Sequence, residues 1–397
     1  MMNILDKAKA LDRYIVEFRR DLHRNPELSG KEVRTQERLM EELSKLGISY
    51  RKVGNTSLIA TLNEGKGKVV ALRADTDALP VLEQADIDYK SEIEGLAHAC
   101  GHDAHTAMLL GAARILSEMK DEIPGEVRFF FQEGEETFTG AKLIVQAGGM
   151  EGVDVVFGMH VFTFFKGVYL PTGTFDLTPG YKMAGCDTIF VKFEGVSGHG
   201  SAPNLAKDTI HPAALFVTDL QGIVTKNVDP QQACVLNVGR FSGGTKANII
   251  SKYAEVDISM RYFDEEAREA LHAGIRRHAQ AIADMYEIKV DVDIQESALS
   301  LYNDEEVSLL AQEAGYKIFG ADKRVEFARS MGSEDMPYYL QHAPGCYAFL
   351  GIYNEDIEAI YFPHHERFKV DEDALKLGAA YHVQFTLDYL NSEAGKE

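Results

Sequence analysis

The chain has 397 residues, 45 % apolar and 26 % charged, which suits a globular protein of two or three domains with ample core. Acidic residues outnumber basic ones 62 to 41, and the formal net charge of -21 disfavours nucleic acid and anionic membrane surfaces as partners. No apolar run approaches the ~20 residues that span a bilayer, and the N-terminus, broken by charges at every turn, holds no signal-peptide core, so a cytoplasmic location is expected.

Apolar spacing predicts an amphipathic helix over 4–24 and a second over 31–46. Apolar strands follow at 57–62, 68–74, 127–132 and 153–161, with a helix at 105–119 between them. Strands alternating with helices argue for a parallel, helix-covered sheet. Near Gly185 the pattern changes. Ile189, Val191 and Phe193 alternate with polar residues, as do Val256, Ile258 and Met260, and then Ile288, Val290, Val292 and Ile294. That is the mark of antiparallel strands with one wet face, and helices at 211–225 and 265–286 suit the dry face. After Leu301 the first pattern resumes, with a strand at 345–351 and a last helix at 372–389. The expected fold is therefore α/β, a parallel-rich mixed sheet covered by helices, with an inserted smaller α+β domain. The expected boundaries are 1–184, 185–298 and 299–397.

Four segments carry chemistry. HACGHDAH, from His98 to His105, packs three histidines, a cysteine and an aspartate just before a helix. Cys100 and His102 are close enough in sequence to share a metal, and a helix N-terminus and a metal both favour the thiolate. The other three cysteines are scattered and read as core thiols rather than a disulfide framework. VRFFFQEGEE runs an apolar strand into Glu133, Glu135 and Glu136, carboxylates that repel unless a cation or proton intervenes. GMHV ends a buried strand at His160, and FPHHERF offers His364 or His365. Cys100, His102, Glu136, His160 and one late histidine exceed the three protein ligands of a single catalytic zinc. They suit two adjacent ions, and the mixed sulfur, nitrogen and oxygen donors suit zinc, manganese or cobalt.

Taken together, RRDLHRNPELSGKE, ALRADTDALPV, HACGHDAHTAMLLGAARIL, FQEGEETFTGAK, GMHV, SGHGSAPN, ANIIS, MGSEDMPYYL and HHERF span Arg19 to Phe368. With these motifs the chain resembles the hippurate-hydrolase type of amidohydrolase, together with the plant auxin–amino-acid conjugate hydrolases. These sit in a dinuclear metallopeptidase family that includes aminoacylase. The resemblance implies a zinc-exopeptidase-like catalytic domain, two divalent ions per subunit and hydrolysis of N-acyl amino acids. It implies Cys100, His102, Glu136, His160 and His364 as ligands and Glu135 as general base. It also implies His199 as an inserted-domain residue reaching an active site, and Asn248 and Arg261 as holders of the substrate carboxylate. A homodimer through the inserted domain is expected, with a tetramer as the other arrangement. The alternatives are a dipeptidase or carboxypeptidase on the same site, and a non-catalytic metal-binding module.

The chain departs from the family pattern at three places. Glu133 and Glu366 add negative charge, which suggests recognition of a basic substrate group, and Ser251–Lys252 replace a proline–aspartate pair. His98, His105, Asp75, Asp77 and Asp103 read as residues that orient the ligands, and Glu334 and Asp335 as lining or buttressing the pocket.

Overall fold

A computed structural model describes residues 3–392. The chain divides into two compact units. The first comprises the described residues through Lys182, then Tyr302–Ala328, and those from Asp335 on; the second comprises Met183–Leu301 and Arg329–Glu334. None of the described helices is long and apolar enough to cross a membrane.

The first unit is built on a seven-stranded sheet. Its order is Ser49–Val53, Ser57–Leu62, Glu126–Gln132, Val69–Asp75, Val155–Phe162, Gly345–Gly351 and Phe175–Asp176. The strands from Glu126–Gln132 to Gly345–Gly351 are mutually parallel, and the outer ones pair antiparallel. Val69–Asp75, Val155–Phe162 and Gly345–Gly351 are buried along their whole length, because helices cover both faces of a parallel sheet. The helix His102–Glu118 is buried on nearly every side and packs against Asp12–Arg24 and Leu375–Asn391. Leu72, Phe129, Phe157, Leu109 and Phe385 belong to one core, with the Phe157 and Phe385 rings stacked at 4.4 Å. The strand order reverses at Val69–Asp75, whose neighbours on either side come later in the chain. A crevice forms outside the carboxyl ends of strands at such a reversal.

Several predicted elements differ in detail. The helix expected over 4–24 is two, Ile4–Ala10 and Asp12–Arg24, separated at Leu11. The strand Ser49–Val53 went unpredicted because it is a wet edge with little apolar pattern. The helix expected at 105–119 begins at His102, directly after Gly101 in the left-handed region at φ 87°.

The second unit holds a four-stranded antiparallel sheet in the order Val235–Gly243, Tyr253–Tyr262, Gly185–Glu194, Lys289–Ala298. Ile189 stands opposite Ile258 on one side and Ile294 on the other. Helices Ile210–Asn227 and Glu265–Met285 cover this face with Phe216, Leu220, Leu271 and Ile275. The Asp264 carboxylate caps the second helix by accepting the Ala267 N–H at 2.8 Å. Arg329–Glu334, read from sequence as part of 299–397, groups with this unit instead. The Ala184 N–H donates to the Ser330 and Gly332 carbonyls, each at 3.0 Å, which ties the returning segment to the start of the insert.

Ile258 is 1 % exposed at the centre of the second core. Ile258→Ala is expected to lower unfolding stability by about 2–5 kcal/mol through lost burial and a residual cavity. Urea denaturation measures this, and a loss below about 1 kcal/mol would contradict the packing described.

Candidate metal centre

Each donor is delivered to the crevice by local structure. Gly101 takes the left-handed conformation that starts the helix, and a Cβ there would overlap the Val161 side chain. Cys100 precedes that turn, and His102 and His105 lie on one face of the first helical turn. His160 sits near the carboxyl end of its buried strand. Beyond Glu126–Gln132 the chain turns at Gly134, φ 60°, and the short helix Glu135–Thr137 presents two acidic residues. His364 also has positive φ, 71°, held by its N–H donating to the Ala99 carbonyl at 2.7 Å.

These segments converge. One ligand atom from each of Cys100, His102 and His160 lies within 4.8 Å of the other two. The same holds for Cys100, Glu136 and His364, and for His102, Glu135 and Glu136. Cys100, His102 and Glu136 are therefore each shared between two of these three overlapping groups. The Cys100 Sγ to His160 Nε2 distance is 3.4 Å, and His364 Nε2 stands 3.1 Å from Glu136 Oε1. His365 turns away, its ring stacked on Tyr361 at 4.3 Å.

A surrounding layer fixes the rings. His102 Nδ1 pairs with Asp77 Oδ1 at 3.0 Å, and His160 Nδ1 donates to the Val161 carbonyl at 2.7 Å. Both contacts leave Nε2 as the free donor for an ion. His105 Nδ1 donates to Asp75 Oδ1 at 2.6 Å, while its Nε2 accepts the Val161 N–H at 2.9 Å, so one neutral imidazole ties two strand ends together. Asp103 accepts from Arg19 Nε at 2.7 Å and from His23 Nδ1 at 2.8 Å. Burial opposes its charge, but Arg19 and His23 hold the carboxyl well below the usual carboxylate range. His98 lies buried near this pair, its pKa lowered to about 4 by burial.

The donor set fits divalent cations. Buried His102 Nε2 has no hydrogen-bond partner. It stands 3.8 Å from Asp75 Oδ2 and 4.0 Å from Glu135 Oε2, too long for hydrogen bonds. Donors bound to one ion at ~2.0–2.3 Å sit roughly 3.3–4 Å apart. The electrostatics agree. Burial works against a charged His102, yet Asp75 and Cys100 raise its pKa well above the ordinary value. Hydrogen bonds with Cys100 and Glu136 push His364 up to about 10. His160 goes the other way: burial and the neighbouring His105 hold it well below the ordinary value, so the anionic groups draw positive charge to His102 and His364 only.

The remaining candidates lie in the second unit. His199 and Asn248 meet on one small ladder, where His199 pairs with Ile249 and the Gly200 N–H donates to the Asn248 carbonyl at 2.9 Å. Arg261 Nη1 donates to Ser333 Oγ at 2.7 Å and to the Met331 carbonyl at 3.2 Å.

Three features lay beyond the sequence reading. Arg73 Nη2 pairs with Asp335 Oδ1 at 2.7 Å and Arg73 Nη1 with Asp75 Oδ2 at 2.9 Å, while Gln132 Nε2 donates to Asp335 Oδ2 at 2.7 Å. This fully buried platform joins neighbouring strand ends beneath the cluster; RAD, FQEGEE and SED hold its members but do not show their pairing. Glu133 does not add charge to the crevice. It is 1 % exposed, and its carboxylate accepts the N–H groups of Thr56 and Ser57 and the Ser57 hydroxyl. Phe162, two residues beyond His160, and Phe362, two before His364, pack at 5.2 Å, and Phe164 meets Phe362 at 5.6 Å. They form an aromatic wall beside the donors.

The pattern described as peptidase family M20/M25/M40 matches residues 71–388. Thermostable carboxypeptidase 2 of Saccharolobus solfataricus is 39 % identical over 98 % of this chain and 100 % of its own. The hippurate hydrolase of Campylobacter jejuni is 34 % identical over 98 % and 100 %. A crystal structure of a dinuclear metal-binding M20 peptidase from Bacillus subtilis superposes with a TM-score of 0.84 at 32 % identity, covering 97 % of this chain and 99 % of that one. The chain is thus a member of the M20 peptidase family, a hydrolase of amide or peptide bonds.

Proposed function

We propose that the protein is a dinuclear metallo-amidohydrolase that cleaves the amide of N-acyl amino acids. The observation that carries this reading is the convergence of Cys100, His102, Glu135, Glu136, His160 and His364 in overlapping groups at the sheet's carboxyl edge. In this reading Cys100, His102, Glu136, His160 and His364 hold two zinc, manganese or cobalt ions. Ions bound there would lower the pKa of a water toward neutrality and polarise the scissile carbonyl.

The chain's own residues do the rest. Glu135, 6 % exposed beside His102, takes the proton of the attacking water and delivers it to the leaving amine. His199 donates to the developing oxyanion. Asn248 and the Arg261 fork hold the carboxylate of the amino-acid half. The aromatic wall at Phe162, Phe164 and Phe362 faces an apolar acyl half, for which it offers no charged partner. A carboxypeptidase activity is the second reading, favoured by the 39 % identity to thermostable carboxypeptidase 2. Both substrates end in a carboxylate one residue beyond the scissile amide. We place the enzyme in the cytoplasm as a homodimer through the second unit, whose edge strand Val235–Gly243 is largely exposed.

Glu135→Gln is expected to retain both ions by elemental analysis and to lose about 10²–10⁴-fold in kcat. A metal-replete Gln variant with normal turnover removes Glu135 as the base. His199→Ala should lower kcat about 10²-fold with metal content unchanged; an unaltered rate excludes it from the oxyanion role. Arg261→Lys keeps the charge and loses the fork, so kcat/KM should fall about tenfold for substrates with a free carboxylate and stay level for their amides. Equal losses on both would show that Arg261 does not read that group.

A further inference from the structure

We propose that Glu32 is a positioning residue for the turn carrying Glu135 and Glu136, acting through the peptide N–H of Gly134. Glu32 is fully buried, although it lies at the start of the helix Val33–Lys45, where a glutamate ordinarily faces water. It does not cap that helix. Glu27 does so, accepting the N–H groups of Arg34 at 2.9 Å and Thr35 at 2.8 Å. The Glu32 carboxylate is therefore released to reach across the fold. Its Oε1 accepts the Gly134 N–H at 2.9 Å, and its Oε2 accepts the Thr56 hydroxyl at 2.7 Å.

Gly134 is where the strand Glu126–Gln132 becomes the acidic turn. Its carbonyl accepts from the Thr139 N–H at 3.2 Å and the Thr137 hydroxyl at 3.1 Å, which closes the turn on one side. Glu32 fixes the other side through the N–H. Two residues on, Asp77 Oδ2 accepts the Glu136 N–H at 3.1 Å while its Oδ1 contacts His102. Two buried carboxylates from separate segments thus each grip one peptide N–H of the turn, at Gly134 and at Glu136. Burial raises the Glu32 pKa to about 7, a cost the fold bears at this position. A buried acid held against that cost, with its acceptor aimed at the N–H of the residue before the candidate base, aligns the base and its neighbouring ligand. Displacement of a reacting group by ~1 Å costs about 10²-fold in rate.

The catalytic part of this inference rests on the amidohydrolase reading; the metal-retention part does not. The test compares the full-length, metal-loaded wild type with Glu32→Gln and Glu32→Leu. The Gln carbonyl can still accept from Gly134, while Thr56 turns its proton to Glu133 Oε2, 3.1 Å away. Leu leaves the buried Gly134 N–H without an acceptor. For Glu32→Leu, kcat on an N-acyl amino acid is expected to fall about 10–100-fold with KM within about threefold, and metal release to EDTA to quicken about tenfold. Glu32→Gln should stay within about threefold of wild type in both. A Leu variant with normal kcat and normal metal release, altered only in melting temperature, overturns the proposal, as does a Gln variant as impaired as Leu. If the wild type hydrolyses no acyl amino acid or dipeptide, the functional reading fails, and the metal-release comparison still decides the role of Glu32.

Discussion

Asp75, Asp77, Glu135 and Glu136 crowd around His102, His105, His364 and the Cys100 thiol at the end of a parallel sheet, largely removed from water. Like charges at that spacing repel strongly once desolvated, and only opposite charge nearby makes the arrangement tolerable. Much of the first unit supplies that compensation or holds the groups against it. Arg73 neutralises Asp75 and Asp335 from below, and Arg19 and His23 do the same for Asp103. What these residues leave unbalanced is a demand for cations within the crevice. The family's dinuclear relatives fit that demand.

Support for the crevice comes from backbone as much as from side chains. The Val161 N–H is taken by His105, the Glu136 N–H by Asp77 and the Gly134 N–H by Glu32. The first two contacts fix a peptide adjoining a candidate functional residue and the third fixes the residue before one, and so each helps to set where that residue's side chain begins. A residue that never touches substrate can then matter to chemistry through the origin of its neighbour's χ1 bond.

The sequence made the parallel strands legible because full burial writes itself as unbroken apolar runs, as in Val155–Phe162. It made the insert legible because half-burial writes itself as alternation, as in Tyr253–Tyr262. Edge strands resisted, since Val235–Gly243 and Ser49–Val53 bury too little to leave a pattern. The donors were legible as a cluster in HACGHDAH and as acids at a strand end. The direction in which a side chain points was not. Glu133 and Glu135 are two residues apart, yet one carboxylate is consumed by the Thr56–Ser57 peptides and the other lies beside His102. Only the left-handed turn at Gly134 separates those fates, and the carboxylate that holds its N–H, Glu32, lies 102 residues upstream.

The strand Val155–Phe162 pairs with Val69–Asp75 on one side but finds its second parallel partner only at Gly345–Gly351, after the whole second unit has been made. On the ribosome, the N-terminal portion therefore waits with one flank of its central sheet unpaired while the insert completes its own core. The last candidate donor, His364, emerges later still. A complete set of candidate donors can then assemble only after the second unit has been synthesised, and a chain released before Gly345–Gly351 keeps an open apolar sheet edge of the kind that chaperones and proteases recognise.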